Sequence, residues 1–510
     1  MQTFSTSEIT STVSGKSYNR SDWQGGYQSL KEEFDYWIDN IEGEIPSDLN
    51  GTLFRNGPGL LEVGGQFIRH PFDGDGMISR ITFTNQKAHF RNRYVRTEGY
   101  VEEQAADQIL YRGVFGTQKP GGWIANLLDF KNKEIANTNV IYWGGKLLAL
   151  WEASEPYCLN PKTLETMGKE YFNGGLSEGD SFSAHPRFDP NSSFDSSVNS
   201  RSDSKLDHGT PCLVNFSIKP VGLSTTITIY ELDIQGNIIR KKAHSVPGFA
   251  FIHDFAITPN YCILFQNPVT FNPIPFVLGM RGAGECIKFQ VDKPTRIIII
   301  PRNSKAGEMR TLETNSGFVF HHANAFEKND EIIVDSICYE SLPEVEAESD
   351  FRQVDFEEVA PGQLWRFKIN LTKNTVENKL IESRSCEFPS INPQNVGRDY
   401  RYIYIGATHS SQGNAPFQAL LKVDLETGER QLWSAAPKGF AGEPIFVPRP
   451  NAVSEDDGWV LTLFYDAGHH RSYLTILDAK DFNKEPIAKL HLKHHVPYGL
   501  HGNFVSDVFI

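Results

Sequence analysis

The sequence predicts an all-β fold: a seven-bladed β-propeller with loops and short helices forming a dome over one end of its axis. Three observations lead there. Helical periodicity is scarce, and short apolar strands separated by polar turns dominate. One local pattern recurs seven times, in which an apolar strand ends at Asp or Asn, a polar turn follows and a second strand leaves. The repeats fall 75, 73, 59, 78, 54 and 54 residues apart, room for a four-stranded blade of roughly 40–50 residues plus insertions.

In chain order the turns are Asn85 in TFTNQKAHF, Asn160 in CLNPKTLETM, Asp233 in YELDIQGNIIR and Asp292 in QVDKPTRIIII. Asn370 in KINLTKNTV, Asp424 in KVDLETGERQLW and Asp478 in ILDAKDFNKEP follow. Asp, Asn and Gly suit such places because they tolerate tight-turn backbone angles and bond their own backbone. An irregular β-sandwich with coincident turns is the alternative. Residues 1–20 are polar and carry no apolar leader, so they read as a disordered tail ahead of one propeller domain at 21–510.

Past each turn the chain must return to the axis and begin the next blade's innermost strand. Reading 17–29 residues beyond six of the turns gives six ionisable residues in aromatic or Pro-rich settings. They are His185 in FSAHPR, His253 in FIHDFA, His321 in FHHANAFE, Glu387 in EFPSI, Glu443 in GEPIFVPRP and His501 in LHGNF. Blade one carries a longer insertion, and its equivalent position is Thr138. Four histidines and two glutamates are therefore expected to converge.

Neutral imidazole is a ligand for Zn, Cu, Fe and Ni, and carboxylates behind the rings orient them and compensate the metal's charge. A structural zinc site would usually contain Cys, and none of these positions does. Each histidine also has a plain reading as a satisfied core residue, and there are 15 in the chain. His322 follows His321, and on a strand it would point the other way.

Composition limits the function classes. The net charge of −14 argues against nucleic acid and against electrostatic attachment to anionic lipid. Phe supplies 35 residues, suited to an ordinary core or to an interior lined for a large apolar ligand. The six cysteines show no CxxC spacing and read as reduced, mostly buried thiols of a cytoplasmic protein. No run approaches the ~18 apolar residues of a membrane span.

Several segments together resemble the carotenoid cleavage oxygenases. They are FIHDFAIT, GFVFHHANAFE, LWEA with EFPSI, AGEPIFVPRP and YGLHG, joined by GTLFRNGPG and HPFDGDGM. The resemblance runs from about Asp22 to about Gly502. RGVFGTQKPGGW, SICYESLP and RGAGEC resemble the cyanobacterial branch that acts on apocarotenoids. The family pattern implies one non-haem Fe(II) on the axis of a seven-bladed propeller, with His185, His253, His321 and His501 as ligands. It implies Glu152, Glu387 and Glu443 behind the ligands, and Thr138 narrowing an open iron position with its methyl group. It makes Trp151, Phe251, Phe320, Tyr339, Phe388 and, less directly, Phe72 candidates for the walls of a substrate tunnel.

The implied reaction is cleavage of a conjugated C=C bond by O2, at the 15,15′ bond of an apocarotenoid such as 8′-apo-β-carotenal, giving retinal and a shorter dialdehyde. Eccentric 9,10 cleavage of a C40 carotenoid is the nearer alternative. Stilbene cleavage and retinoid isomerisation lie within the family, and a metal-containing binding scaffold lies outside enzymes. So apolar a substrate must be drawn from a bilayer. GGWIANLLDF places Trp123, Ile124, Leu127 and Leu128 on one helical face, and FNPIPFVLGM is an apolar loop broken by prolines. Either segment is a candidate for peripheral membrane contact, and a helix packed on the propeller side is the competing reading.

Overall fold

The computed structural model describes residues 17–192, 210–303, 306–342 and 350–510. Seven sheets of four or more strands form the propeller. Blade two is Asn139–Trp143, Lys146–Leu150, Tyr157–Leu159 and Thr166–Lys169, from inside out. Blades three to six repeat this antiparallel order, starting from innermost strands Arg187–Ser192, Phe255–Ile257, Phe318–Lys328 and Cys386–Ser390. The two ends of the chain close the ring. Gly502–Val505 pairs with Gly51–Arg55 as the innermost strand of blade one, while Asn40–Gly43 pairs with Ala488–His491 at the outer edge of blade seven.

Middle strands are covered on both faces by neighbouring blades, so they read as continuous apolar runs. The run Ile297–Ile300 shows the period of two. Ile297 and Ile299 pack with Val334, Phe367 and Ile369 of blade five. Ile298 and Ile300 pack with Val214, Phe216 and Ile227 of blade three. Each such side chain contributes about 1.5–3 kcal/mol when fully buried.

Six of the seven expected turns join the third and fourth strands of a blade. Asn85 and Gln86 have φ of 49° and 57°, a left-handed pair that suits a two-residue hairpin. The side chains of Asn160, Asp233, Asn370, Asp424 and Asp478 each accept a backbone N–H two or three residues on, at 2.8–3.0 Å. Asp292 is the exception. It lies between Ile287–Phe289 and Thr295–Pro301, at the close of a long excursion that enters the third strand rather than leaving it. The blade-four turn begins instead at Asn303, whose side chain accepts the Ala306 amide at 3.0 Å. With Asn303 in place the uneven intervals of 59 and 78 become 70 (303 − 233) and 67 (370 − 303).

Residues 1–16 of the expected tail and Pro343 of SICYESLP lie outside the described residues. The fold begins ahead of residue 21, since Asn19 caps the short helix Arg20–Gln24. None of the six cysteines forms a disulfide, and four are buried.

Candidate metal centre

Every expected axial position lies at the start of an innermost strand. Thr138, His185, His253 and His501 stand one or two residues ahead of Asn139, Arg187, Phe255 and Gly502. His321 and Glu387 lie within the first residues of Phe318–Lys328 and Cys386–Ser390, and Glu443 precedes Ile445–Pro448. One ring nitrogen from each of His185, His253, His321 and His501 falls within 4.8 Å of the other three. Ring centroids stand 4.3 Å apart for His185–His253 and 4.9 Å for His321–His501.

Three of the rings are backed by carboxylates at Nδ1. Glu387 Oε2 is 2.6 Å from His321, Glu443 Oε1 is 2.8 Å from His501, and Glu152 contacts His253. A carboxylate there makes Nδ1 the proton carrier and leaves the Nε2 lone pair free. The Nε2 atoms of His185 and His321 are buried without a hydrogen-bond partner. Orphaned buried acceptors aimed into one cluster fit a divalent metal, and four imidazoles without Cys fit a catalytic transition metal better than structural zinc. Glu152 stands outside the axial positions, on the turn after Lys146–Leu150, so strand periodicity does not reveal it.

Electrostatics hold two of the carboxylates ionised and act in opposite directions on His185 and His321. Burial, helped by the other imidazoles and Arg187, pushes His185 well below the usual histidine range. His321 is drawn the other way: burial opposes its proton, but Glu387 outweighs burial, so a bound metal competes with that proton. Burial would raise Glu387 and Glu443, yet their histidine partners win, with Arg55 aiding at Glu443, and hold both below the usual carboxylate range.

Two contributors escape the sequence reading. Arg55, in GTLFRNGPG, pairs with Glu443 Oε2 and donates to Leu500 O at 3.0 Å. Tyr339, expected as a wall residue, also donates its hydroxyl to Glu387 Oε1 at 3.1 Å. Its ring fits because residue 362 is Gly; a Cβ there would come within 2.7 Å of the Tyr339 ring.

The other wall candidates are arranged unequally. Phe251 meets Phe318, which meets Phe320, and Phe320 lies edge-on to both His253 and Tyr339. Phe388 stands 5.7 Å from the His321 ring and 5.4 Å from His501, at a φ of 59° that bulky residues rarely adopt. Trp151 is buried beside Glu152. Phe72 belongs to a separate cluster with His70 and Phe115, tied to the axis where Asn137 donates to its carbonyl. Thr138 donates its hydroxyl to Asn137 Oδ1. His322 turns away from the cluster to Ser336 and Phe265.

The apolar segments form one surface rather than two alternatives. Leu128 N donates to Val277 O at 2.9 Å, and Phe130 meets Phe276. Buried Arg112 staples them, donating to Asp129 O, Phe276 O and Arg281 O. RGVFGTQKPGGW and RGAGEC meet backbone to backbone, where Gly284 N donates to Val114 O at 2.7 Å and a Cβ at Gly282 would strike Gly116 N. The expected helical face is not formed, because the helix spans only Gly122–Asn126 and Leu127 is extended. Trp123, Ile124 and Leu128 are 56%, 70% and 62% exposed, and the residue turned inward is Asn126, bonded to Lys119 and Gly122.

The family model described as retinal pigment epithelial membrane protein, RPE65, matches residues 27–506. The chain is 55% identical over 502 residues to the apocarotenoid-15,15′-oxygenase of Synechocystis, covering 98% of this chain and 99% of the relative. It is 29% identical to a carotenoid 9,10(9′,10′)-cleavage dioxygenase of Crocus sativus, over 92% of this chain and 85% of the relative. The crystal structure of cobalt-substituted Synechocystis ACO matches with a TM-score of 0.92 and 55% identity, over 96% of this chain and 100% of that one.

Proposed function

Because the chain belongs to the RPE65 family of carotenoid oxygenases, we propose that it is a non-haem Fe(II) oxygenase that cleaves apocarotenoids at the central 15,15′ double bond. The observation that carries this reading is the 55% identity to an apocarotenoid-15,15′-oxygenase, spread over 98% of the chain. The reaction balances with O2 alone: R–CH=CH–R′ plus O2 gives R–CHO plus R′–CHO. Thus 8′-apo-β-carotenal gives retinal and a shorter dialdehyde.

His185, His253, His321 and His501 would hold the metal, with Glu152, Glu387 and Glu443 behind the last three rings fixing their tautomers. When bound, iron supplies a reduced, partly open centre for O2 beside the alkene. Charge supports a dication: three carboxylates against Arg55 leave −3 + 1 = −2 around neutral imidazoles. Thr138, its hydroxyl occupied by Asn137, would present a methyl group that narrows the site. Phe251, Phe320, Tyr339, Phe388 and Trp151 would hold the polyene by apolar contact. Such contacts discriminate by only ~1–3 kcal/mol per methylene, so the choice of bond must come from the depth and shape of the tunnel.

Product analysis tests the reading. Protein loaded anaerobically with Fe(II) is given 8′-apo-β-carotenal, the corresponding alcohol and β-carotene in air, and products are identified by mass spectrometry. Retinal from the apocarotenal is the expected main product. Preference for β-carotene with 9,10 products would replace the subfamily assignment, and absence of O2-dependent cleavage would leave a binding scaffold.

No helix among the described residues is long and apolar enough to cross a membrane. The stapled apolar surface supports peripheral contact with a bilayer, driven by burial of Trp123, Ile124, Leu128, Phe130, Ile274 and Met280 rather than by charge. Replacing Trp123, Ile124 and Leu128 with Ser should cut flotation with neutral liposomes and turnover of liposomal substrate by about tenfold or more, since each buried apolar side chain contributes ~1.5–3 kcal/mol. Turnover of detergent-dispersed substrate should change little. Undiminished flotation would remove these residues from the membrane contact.

A further inference from the structure

Three of the four histidines are oriented through Nδ1 by a carboxylate; for His185 no carboxylate partner is found among the described residues. A different connection reaches its strand. Arg187, two residues on, pairs with Asp254 Oδ2 and donates from Nε to Phe255 O and from Nη2 to His322 O, both at 2.8 Å. Asp254 is buried and in turn accepts the Phe255 amide at 2.7 Å and the His322 amide at 2.8 Å. Arg187 follows His185 by two residues, Asp254 follows His253 by one, and His322 follows His321 by one. One side-chain pair therefore ties together the innermost strands of blades three, four and five just beyond their histidines.

We propose that Arg187 and Asp254 form a buried crosspiece that sets the positions of His185, His253 and His321 for metal binding, and that it supplies His185 with the restraint that glutamates give the other rings. The planar guanidinium suits this task because it donates in a fixed fork to two carbonyls and a carboxylate at once, and a lysine cannot. The carboxylate complements it by holding two backbone amides on adjacent strands. Both act through the backbone and touch no substrate, so they are positioning residues. This inference rests on the metal-site reading above.

The test is titration of metal-free protein with Co(II), followed by its visible absorption, for wild type, Asp254→Ala, Arg187→Gln and Arg187→Lys. Loss of a group that orients metal ligands typically costs about 10–100-fold in affinity. That range is expected for Asp254→Ala and Arg187→Gln, with an altered Co(II) band shape as the rings shift. Arg187→Lys keeps the charge beside Asp254 and should fold, yet it should bind Co(II) more weakly than wild type because the fork is gone. Arg401→Gln, which breaks an ion pair with Asp424 on blade six, controls for general loss of stability and should bind Co(II) normally. Folded Asp254→Ala and Arg187→Lys with wild-type Co(II) affinity and spectrum would overturn the proposal. Failure of the wild type itself to bind Co(II) would instead overturn the metal-site reading.

Discussion

His253→Ala should lose iron and cleavage together, while His322→Ala should keep both. The first variant removes one of four converging nitrogens and leaves the Glu152 carboxylate facing a gap. The loss should exceed the roughly 10–100-fold typical of groups behind the ligands, taking bound iron to background. His322 adjoins His321 in sequence, but its ring bonds Ser336 at 2.7 Å and lies against Phe265. Only its backbone serves the centre, donating N–H to Asp254 and accepting from Arg187 at its carbonyl, and alanine retains both groups. Metal analysis with a cleavage assay on both variants decides it. Retained iron in His253→Ala would show that the ligand set is wrong.

This contrast was legible in the sequence because a propeller returns the chain to its axis once per blade. A turn residue and a count forward then locate the innermost strand, and strand alternation separates His321 from His322. The same logic fails where the repeat is interrupted. The excursion before Thr295–Pro301 carries its own turn at Asp292, and that turn is chemically like the real one at Asn303. The apolar segment at 121–130 misled differently. Its spacing suits a helix, but the chain leaves the helix at Leu127, where the next amide, Leu128 N, donates to Val277 O and Asp129 O accepts from Arg112.

What no periodicity reveals are groups that reach the centre across the chain. Glu152 meets His253 from a turn two blades away, and Arg55 meets Glu443 across the ring closure between the last blade and the first. Family resemblance supplies Glu152. It leaves Arg55, Arg187 and Asp254 unmarked, although they lie inside or beside the recognised segments, because a motif gives residue identity without partners. The closure itself, with Gly502–Val505 joining Gly51–Arg55, is likewise a pairing between distant segments that only the structure displays.

Arg55 makes Glu443 the carboxylate with the most to lose. Glu443→Gln and Glu387→Gln should each weaken iron binding by about 10–100-fold, since a glutamine can turn its NH2 toward the imidazole and favour the tautomer that blocks Nε2. The two should differ in stability without metal. Glu387 faces no fixed cation, since its histidine partner carries charge only when protonated, and at alkaline pH a glutamine oxygen can still accept the Phe388 amide while the Tyr339 hydroxyl turns to accept from the glutamine NH2. Glu443 neutralises Arg55, whose side chain is 7% exposed, and also accepts the Gly502 amide at 3.0 Å. Removing one member of a buried pair costs about 3–5 kcal/mol because the other charge stays buried. Denaturant unfolding of the metal-free proteins at alkaline pH should therefore show a large loss for Glu443→Gln and a small one for Glu387→Gln. Adding Arg55→Met to Glu443→Gln should recover most of that stability, because an apolar side chain of similar length leaves no charge behind, while iron affinity stays low. Equal stability of the two single variants would mean that Arg55 finds water or another acceptor when Glu443 is lost. Recovery of iron binding in the double variant would mean that the pair acts on the metal through fold stability rather than through the His501 ring.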